Sequence, residues 1–220
     1  MSQRRKDPRG EATRAALIEA GESLFALRSI DDVSLREIGG AIGSENTSAA
    51  LYYFKSKEGL VDAIYKHRIP MLERRRTGLL HEVDARGLSR DLRALLYAHW
   101  LPIYELTDAN GQHTFARFLE SMVRSTWIKR RRPLAELYPA SDDLMSRLRA
   151  LAPTADRETF DIRFMMTANM IVGAIHEIDR RSEEKEHGLK PDELFSDAVE
   201  MAVLILSAPP TSTNLLQTLG

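Results

Sequence analysis

Cysteine is absent from the 220-residue chain, which excludes disulfides, thiolate metal sites and cysteine nucleophiles and fits a reducing cytoplasm. Long apolar runs are also missing: stretches such as MAVLILSA, from Met201, are far too short to span a bilayer. The basic start MSQRRKDPRG leads into a charged, amphipathic segment, so it lacks the apolar core of a signal peptide. A formal net charge of -1 excludes a strong overall bias of either sign. Beneath it lies a mild tilt, with 14 Lys/Arg against 11 Asp/Glu in residues 1–76 and 17 against 21 in the remainder. What is present is a 43% hydrophobic composition, ample for a buried core. The expectation is a cytoplasmic protein with no membrane partner.

Signatures of catalysis are lacking as well. There is no G-x-S-x-G, no phosphate-cradling glycine loop and no H-E-x-x-H. Histidines at 67, 81, 99, 113, 176 and 187 show no helical pairing suited to a metal, and Glu177 and Asp179 lie in an evenly charged helix end. No catalytic residue, metal site or cofactor is expected. A helical enzyme whose groups converge only in space stays open as a rival.

Alternating apolar and polar runs bounded by turn signals do not occur, whereas apolar residues at helical spacing recur throughout. The chain therefore reads as all-α, with about nine helices: 10–27, 34–42, 47–53, a long one from Ser56 kinked near Pro70, then 88–107, 111–130, 133–150, 155–183 and 191–207. Ser34 followed by Glu37 has capping-box spacing, and Gly43 suits a left-handed helix end. Asn46 is placed to cap the third helix and Ser56 the fourth.

A long helix, two short ones and a tight glycine-containing turn are the layout of a helix-turn-helix. Over residues 13–64, VSLREIGGAIGSENTSAALYYFKSKEGLVDAI and its preceding helix resemble the N-terminal DNA-binding domain of TetR-type transcriptional regulators. The turn GSENTS is one residue longer than the usual pattern, and Gly39 stands where alanine is common. The resemblance implies a DNA-binding domain over 1–76, an effector-binding and dimerisation domain over 77–208 and a tail over 209–220. It implies a transcriptional regulator, more a repressor than an activator, that binds a double-stranded palindromic operator as a dimer and answers to a small-molecule effector.

Residue chemistry assigns parts within that frame. Asn46, Thr47, Ser48 and Ala49 are small enough to bring a helix N-terminus close to base edges, with hydroxyls to hydrogen-bond and a methyl for thymine. Tyr52, Lys55 and Lys57 suit phosphate oxygens, Lys57 gaining from its place at a helix start. Ser34 and Arg36 on the second helix, and Thr13 and Arg14 at the start of the first, complete the expected DNA face. The arm RRKDPRG reads equally as a groove-following segment or a frayed terminus. Tyr53 and Phe54 are expected to pack inward, while the register leaves open whether Ala50 or Leu51 does so.

In the C-terminal part, RFMMTANMIVGAIHEI is apolar almost all round, which calls for burial on two sides. Helices 155–183 and 191–207 are the expected homodimer interface, the alternative being that both complete a monomer core. Tyr97, Trp100, Tyr104, Phe118, Met122 and Trp127 are the candidate lining of an effector pocket, against the plain reading that they are core. A helical protein-interaction adaptor is the further rival.

Overall fold

The computed structural model describes residues 8–43, 48–124, 138–153, 156–186 and 188–209. Among these residues the chain is all-α, with no strand. The helices are α1 (Pro8–Leu27), α2 (Leu35–Ala41), α3 (Ala49–Phe54), α4 (Lys57–Ala85), α5 (Leu92–Tyr104), α6 (Thr114–Arg124), α7 (Pro139–Leu151), α8 (Arg157–Glu184) and α9 (Pro191–Ser207). None of them is long and apolar enough to cross a membrane. Helix α4 continues through Pro70 without interruption.

Two compact units divide the chain: Met1–Arg74 with Glu105–Tyr138, and Arg75–Tyr104 with Pro139–Gly220. Their boundary lies inside α4, two residues from the expected division at 76. The difference is α6, which belongs to the N-terminal unit because it packs against α1.

In the N-terminal unit, Leu17, Ile18 and Phe25 of α1 meet Leu60, Ile64 and Tyr65 of α4 and Phe115, Phe118 and Met122 of α6 in a fully buried core. Tyr65 sets its edge against Phe118 at 5.5 Å between ring centroids, and Phe25 stacks on Phe118 at 6.3 Å. Such pairs stabilise by about 0.5–1.5 kcal/mol beyond their burial. One carboxylate sits among them: Glu22 accepts from Arg68 Nε (2.6 Å), Arg68 Nη2 (3.0 Å) and Thr114 Oγ1 (2.8 Å). Glu22 is 1% exposed, so burial of its charge depends on these three donors.

In the C-terminal unit, α5 packs against α7 and α9, and α8 packs against α9. The Tyr104 ring stacks on Phe195 at 4.2 Å, and its hydroxyl donates to Asp192 Oδ1 at 2.6 Å. Arg76 donates to the His99 carbonyl through Nε and Nη2, both at 3.2 Å, and to Ser141 Oγ at 2.8 Å. These bonds tie α4, α5, α7 and α9 into one body.

Candidate nucleic-acid interface

Helix α2 begins as its sequence requires. Ser34 is its N-cap, with Oγ accepting from the Glu37 N–H at 3.1 Å. The Glu37 carboxylate, expected to reach back in a capping box, pairs instead with the Arg28 guanidinium. Arg28 also donates to the Asp32 carbonyl at 2.8 Å, so one side chain clasps the end of α1, the following turn and α2. Ile38 is fully buried on one side of α2 and Arg36 is exposed on the other. Gly43 closes the helix at φ +67°, a conformation that suits glycine because it has no Cβ to clash.

Asn46 and Thr47, two of the expected base-contacting residues, lie outside the described residues. Helix α3 starts at Ala49, with the exposed Ser48 at its cap position. Ala49 (7% exposed), Ala50 (0%) and Phe54 (6%) face the domain interior, while Leu51 (52%) and Tyr52 (69%) face out. The open register is thereby decided: Ala50 is inside and Leu51 outside. Ala49, expected near base edges, is packed inward because it lies one helical turn from Tyr53 and one residue from Ala50 on the buried side.

The three aromatics divide their duties. The Phe54 ring is buried with the Arg14 guanidinium over it, 5.4 Å from the centroid. Tyr53 is half-buried and stands edge-on to Tyr52 at 5.2 Å. Tyr52 is exposed and carries Lys55 Nζ over its ring at 5.0 Å. Lys55 ends α3 in the left-handed region, at φ 67°, which turns the chain sharply enough for α4 to begin two residues later.

At the α3–α4 corner Ser56 caps α4 as its position suggests, while Gly59 and Lys57 have roles within the domain that the sequence reading did not assign. Ser56 Oγ accepts from the Gly59 N–H at 3.1 Å. A Cβ on Gly59 would drive into the Phe54 carbonyl oxygen, so glycine is what allows α3 and α4 to meet this closely. Lys57 Nζ donates to the Ile30 carbonyl at 2.8 Å and to the Asp31 carbonyl at 2.7 Å. Its ammonium is thus engaged within the domain. Thr13 is half-buried, its hydroxyl donating to the Arg9 carbonyl at 2.9 Å. The signals for Arg28, Lys57 and Gly59 are long-range or steric, so no local spacing announces them.

Exposed Ser34, Arg36, Ser48, Tyr52 and Lys55 all lie on α2, α3 or their ends. They supply exposed hydroxyls, cations and an aromatic on two packed helices, the chemistry that phosphates and base edges accept.

The candidate effector residues are distributed over both units. Phe118 and Met122 are fully buried in the N-terminal core, Trp127 is outside the described residues, and Tyr97, Trp100 and Tyr104 belong to α5 in the other unit. Phe118 and Met122 belong to the apolar core of the N-terminal unit, as aromatic and methionine side chains at helical spacing commonly do. Tyr97 and Tyr104 meet Phe195 edge-on and face-on. Trp100 stacks with Phe164 at 6.1 Å, and His99 stands edge-on to Trp100 at 5.0 Å and to Phe164 at 5.3 Å. Within that aromatic group, Trp100 Nε1 and His99 Nδ1 are buried with no hydrogen-bond partner among the described residues. Burial, and then the Arg76 charge, hold the His99 imidazole well below its usual range, so it is neutral at physiological pH.

Helices α8 and α9 leave apolar side chains outward: Ile162, Met165 and Met166 on α8, Met201 and Leu204 on α9, each 45–67% exposed. Gly173, on the same stripe of α8, has open space where a side chain would point. A shallow surface groove of about 390 Å³ runs beside Ile162 and Met165, edged by Arg157, Glu158 and Asp161. Among the described residues no group of three His, Asp or Glu is arranged to hold a metal ion.

Comparison with known families matches residues 17–64 to bacterial regulatory proteins of the tetR family, through that family's N-terminal domain. No curated protein matches the chain.

Proposed function

We propose that this chain, whose residues 17–64 match the N-terminal domain of bacterial regulatory proteins of the tetR family, is a DNA-binding transcriptional regulator, and more specifically a ligand-responsive repressor that binds a palindromic operator as a homodimer. The observation that carries the DNA-reading part is the outward face of α2 and α3. Ser48 and Arg36 reach base edges, while Ser34, Tyr52 and Lys55 meet phosphates. Thr13, Arg14 and the backbone at Lys57 flank this face, and Asn46, Thr47 and Ala49 belong to the start of the recognition helix.

A homodimer is supported by the exposed apolar stripe of α8 and α9, since contiguous outward methionine, isoleucine and leucine side chains on adjoining helices need a cover. Two copies of the α8–α9 pair make a four-helix interface, with Gly173 permitting close approach. Effector response is supported by the unpartnered Trp100 Nε1 and His99 Nδ1, which would take an uncharged ligand with an acceptor group against aromatic walls. The domains then divide near residue 76, α6 packing with the DNA-reading half. Ligand binding would favour a state with differently spaced recognition helices and so shift the population off DNA.

The deciding experiment is selection of bound duplexes from random-sequence DNA, followed by sedimentation of the complex. A palindrome bound by two protomers is the expected result. A non-palindromic site, or a monomer on DNA at micromolar concentration, would refute the dimeric reading.

A further inference from the structure

The turn between α1 and α2 holds three successive backbone carbonyls, at Ile30, Asp31 and Asp32, and each accepts from a cation. Arg28 donates to Asp32 from within the turn, whereas Lys57 donates to Ile30 and Asp31 from 27 and 26 residues away. These last two bonds, at 2.8 and 2.7 Å, are charge-assisted and one of them is partly buried. Lys57 is the first residue of α4, directly after the left-handed Lys55 that ends α3 and the Ser56 that caps α4. Its side chain therefore closes a loop from the end of the recognition helix back to the start of α2, encircling the whole helix-turn-helix.

The geometry points to Lys57 as a positioning residue for DNA recognition: its ammonium fixes the α1–α2 turn to the α3–α4 corner and so sets the tilt of the recognition helix, instead of neutralising a phosphate. Two of its three N–H donors are committed to carbonyls that no side-chain rearrangement can supply from elsewhere. Releasing the ammonium loosens the α1–α2 turn from the α3–α4 corner, where Gly59 has no Cβ to strike the Phe54 carbonyl, and so lets the tilt of α2 and α3 vary. Specific binding suffers from such variation, since base contacts demand a set register. Attraction to phosphate in general does not.

This inference rests on the DNA-binding reading, so its test includes a measurement made without DNA. Lys57→Met is compared with Lys55→Met and the unsubstituted chain, each confirmed helical by circular dichroism. Amide hydrogen exchange of Asp32 through Leu35 is expected to quicken in Lys57→Met and to be unchanged in Lys55→Met. On a duplex selected from random-sequence DNA, Lys57→Met is expected to bind about ten- to a hundredfold more weakly, the scale of losing one or two charge-assisted bonds. Its salt dependence should equal that of the unsubstituted chain, and its affinity for unselected duplex should be unchanged. Lys55→Met, by contrast, should lower the logarithmic salt slope by about 0.9 per protomer.

Lys57→Gln, which keeps a donor, should recover part of the loss and covers the case in which the methionine variant is unstable. A salt slope that falls for Lys57→Met as it does for Lys55→Met would make Lys57 a phosphate contact and overturn the assignment. So would unchanged exchange in the turn, or a lower melting temperature with full specific affinity. Failure of the unsubstituted chain to bind any duplex strikes the DNA reading alone and leaves the exchange result to decide on Lys57.

Discussion

Removing the Glu22 carboxylate tests the most heavily committed charge in the N-terminal unit. Glu22 is 1% exposed and Arg68 15% exposed at the side chain, so the carboxylate has no water to turn to and the guanidinium little if the partner is lost. Glu22→Ala leaves a largely buried guanidinium and the Thr114 hydroxyl without their acceptor, and breaking a buried pair in this way costs about 3–5 kcal/mol. Thr114→Val removes one neutral donor to a charged acceptor and should cost about 1.5–3 kcal/mol. For a chain of this size 1 kcal/mol corresponds to roughly 2–4 °C in melting temperature, so Glu22→Ala should melt about 6–20 °C lower. A double variant, Glu22→Leu with Arg68→Met, should regain most of that loss, because similar-sized apolar groups carry no desolvation penalty. The assay is thermal unfolding followed by circular dichroism, with a double-mutant cycle to isolate the pair. A Glu22→Ala penalty below about 1 kcal/mol would refute the claim that these helices are held by a buried ion pair.

Other outcomes follow from the same geometry. Arg36→Ala and Tyr52→Phe should each weaken binding to a selected operator, by about 1–3 kcal/mol for a base contact and less for a phosphate contact, with melting unchanged; full affinity in both would remove α2 and α3 from the interface. Met166→Asp should convert a sedimenting dimer to monomer while each protomer stays helical, because the charge would be buried without a partner; an intact dimer would relocate the interface. Glu177 is held down to about 2, first by Arg180 and then by Arg181. A depressed carboxylate contributes stability that is present above its unfolded value of 4.5 and is lost as pH falls toward about 2. Glu177→Gln should therefore flatten the fall of melting temperature between those values, and an acid limb identical to that of the unsubstituted chain would exclude the contribution.

Much of this was legible in the sequence because the signals are local. Ser34 three residues before Glu37 foretold the α2 cap, and Gly43 foretold the left-handed closure that the backbone adopts. The split among Tyr52, Tyr53 and Phe54 followed from helical periodicity, and the burial of Phe54 beside the exposure of Tyr52 agrees with it. What escaped is what lies far apart in sequence. Glu37 turns to Arg28 instead of closing a capping box because a guanidinium nine residues away offers a charged partner. Phe118 and Met122 read either as pocket lining or as core, since apolar stripes look alike whether they face a ligand or a neighbouring helix; their full burial in a unit where α6 packs on α1 favours core. Composition likewise gave no sign that Lys57 would spend its charge inside the domain.

That last point changes how the basic tilt of residues 1–76 is understood. Net positive charge in a DNA-binding domain is commonly equated with phosphate contacts, yet here several cations have structural partners. Arg14 covers the Phe54 ring, Arg28 clasps Glu37 and Asp32, Lys57 binds two carbonyls and Arg68 neutralises Glu22. Arg36 and Lys55 are the exposed cations on the α2–α3 face. Affinity that draws on few phosphates is weakly lowered by salt and weak for unselected DNA, so discrimination has to come from the contacts that read base edges. Under the proposed reading the structural cations serve that same end, since Arg28 fixes α2 to the turn before it and Lys57 fixes that turn to the start of α4. Rigidity of the helix-turn-helix and economy of surface charge are thus two consequences of one allocation of basic side chains.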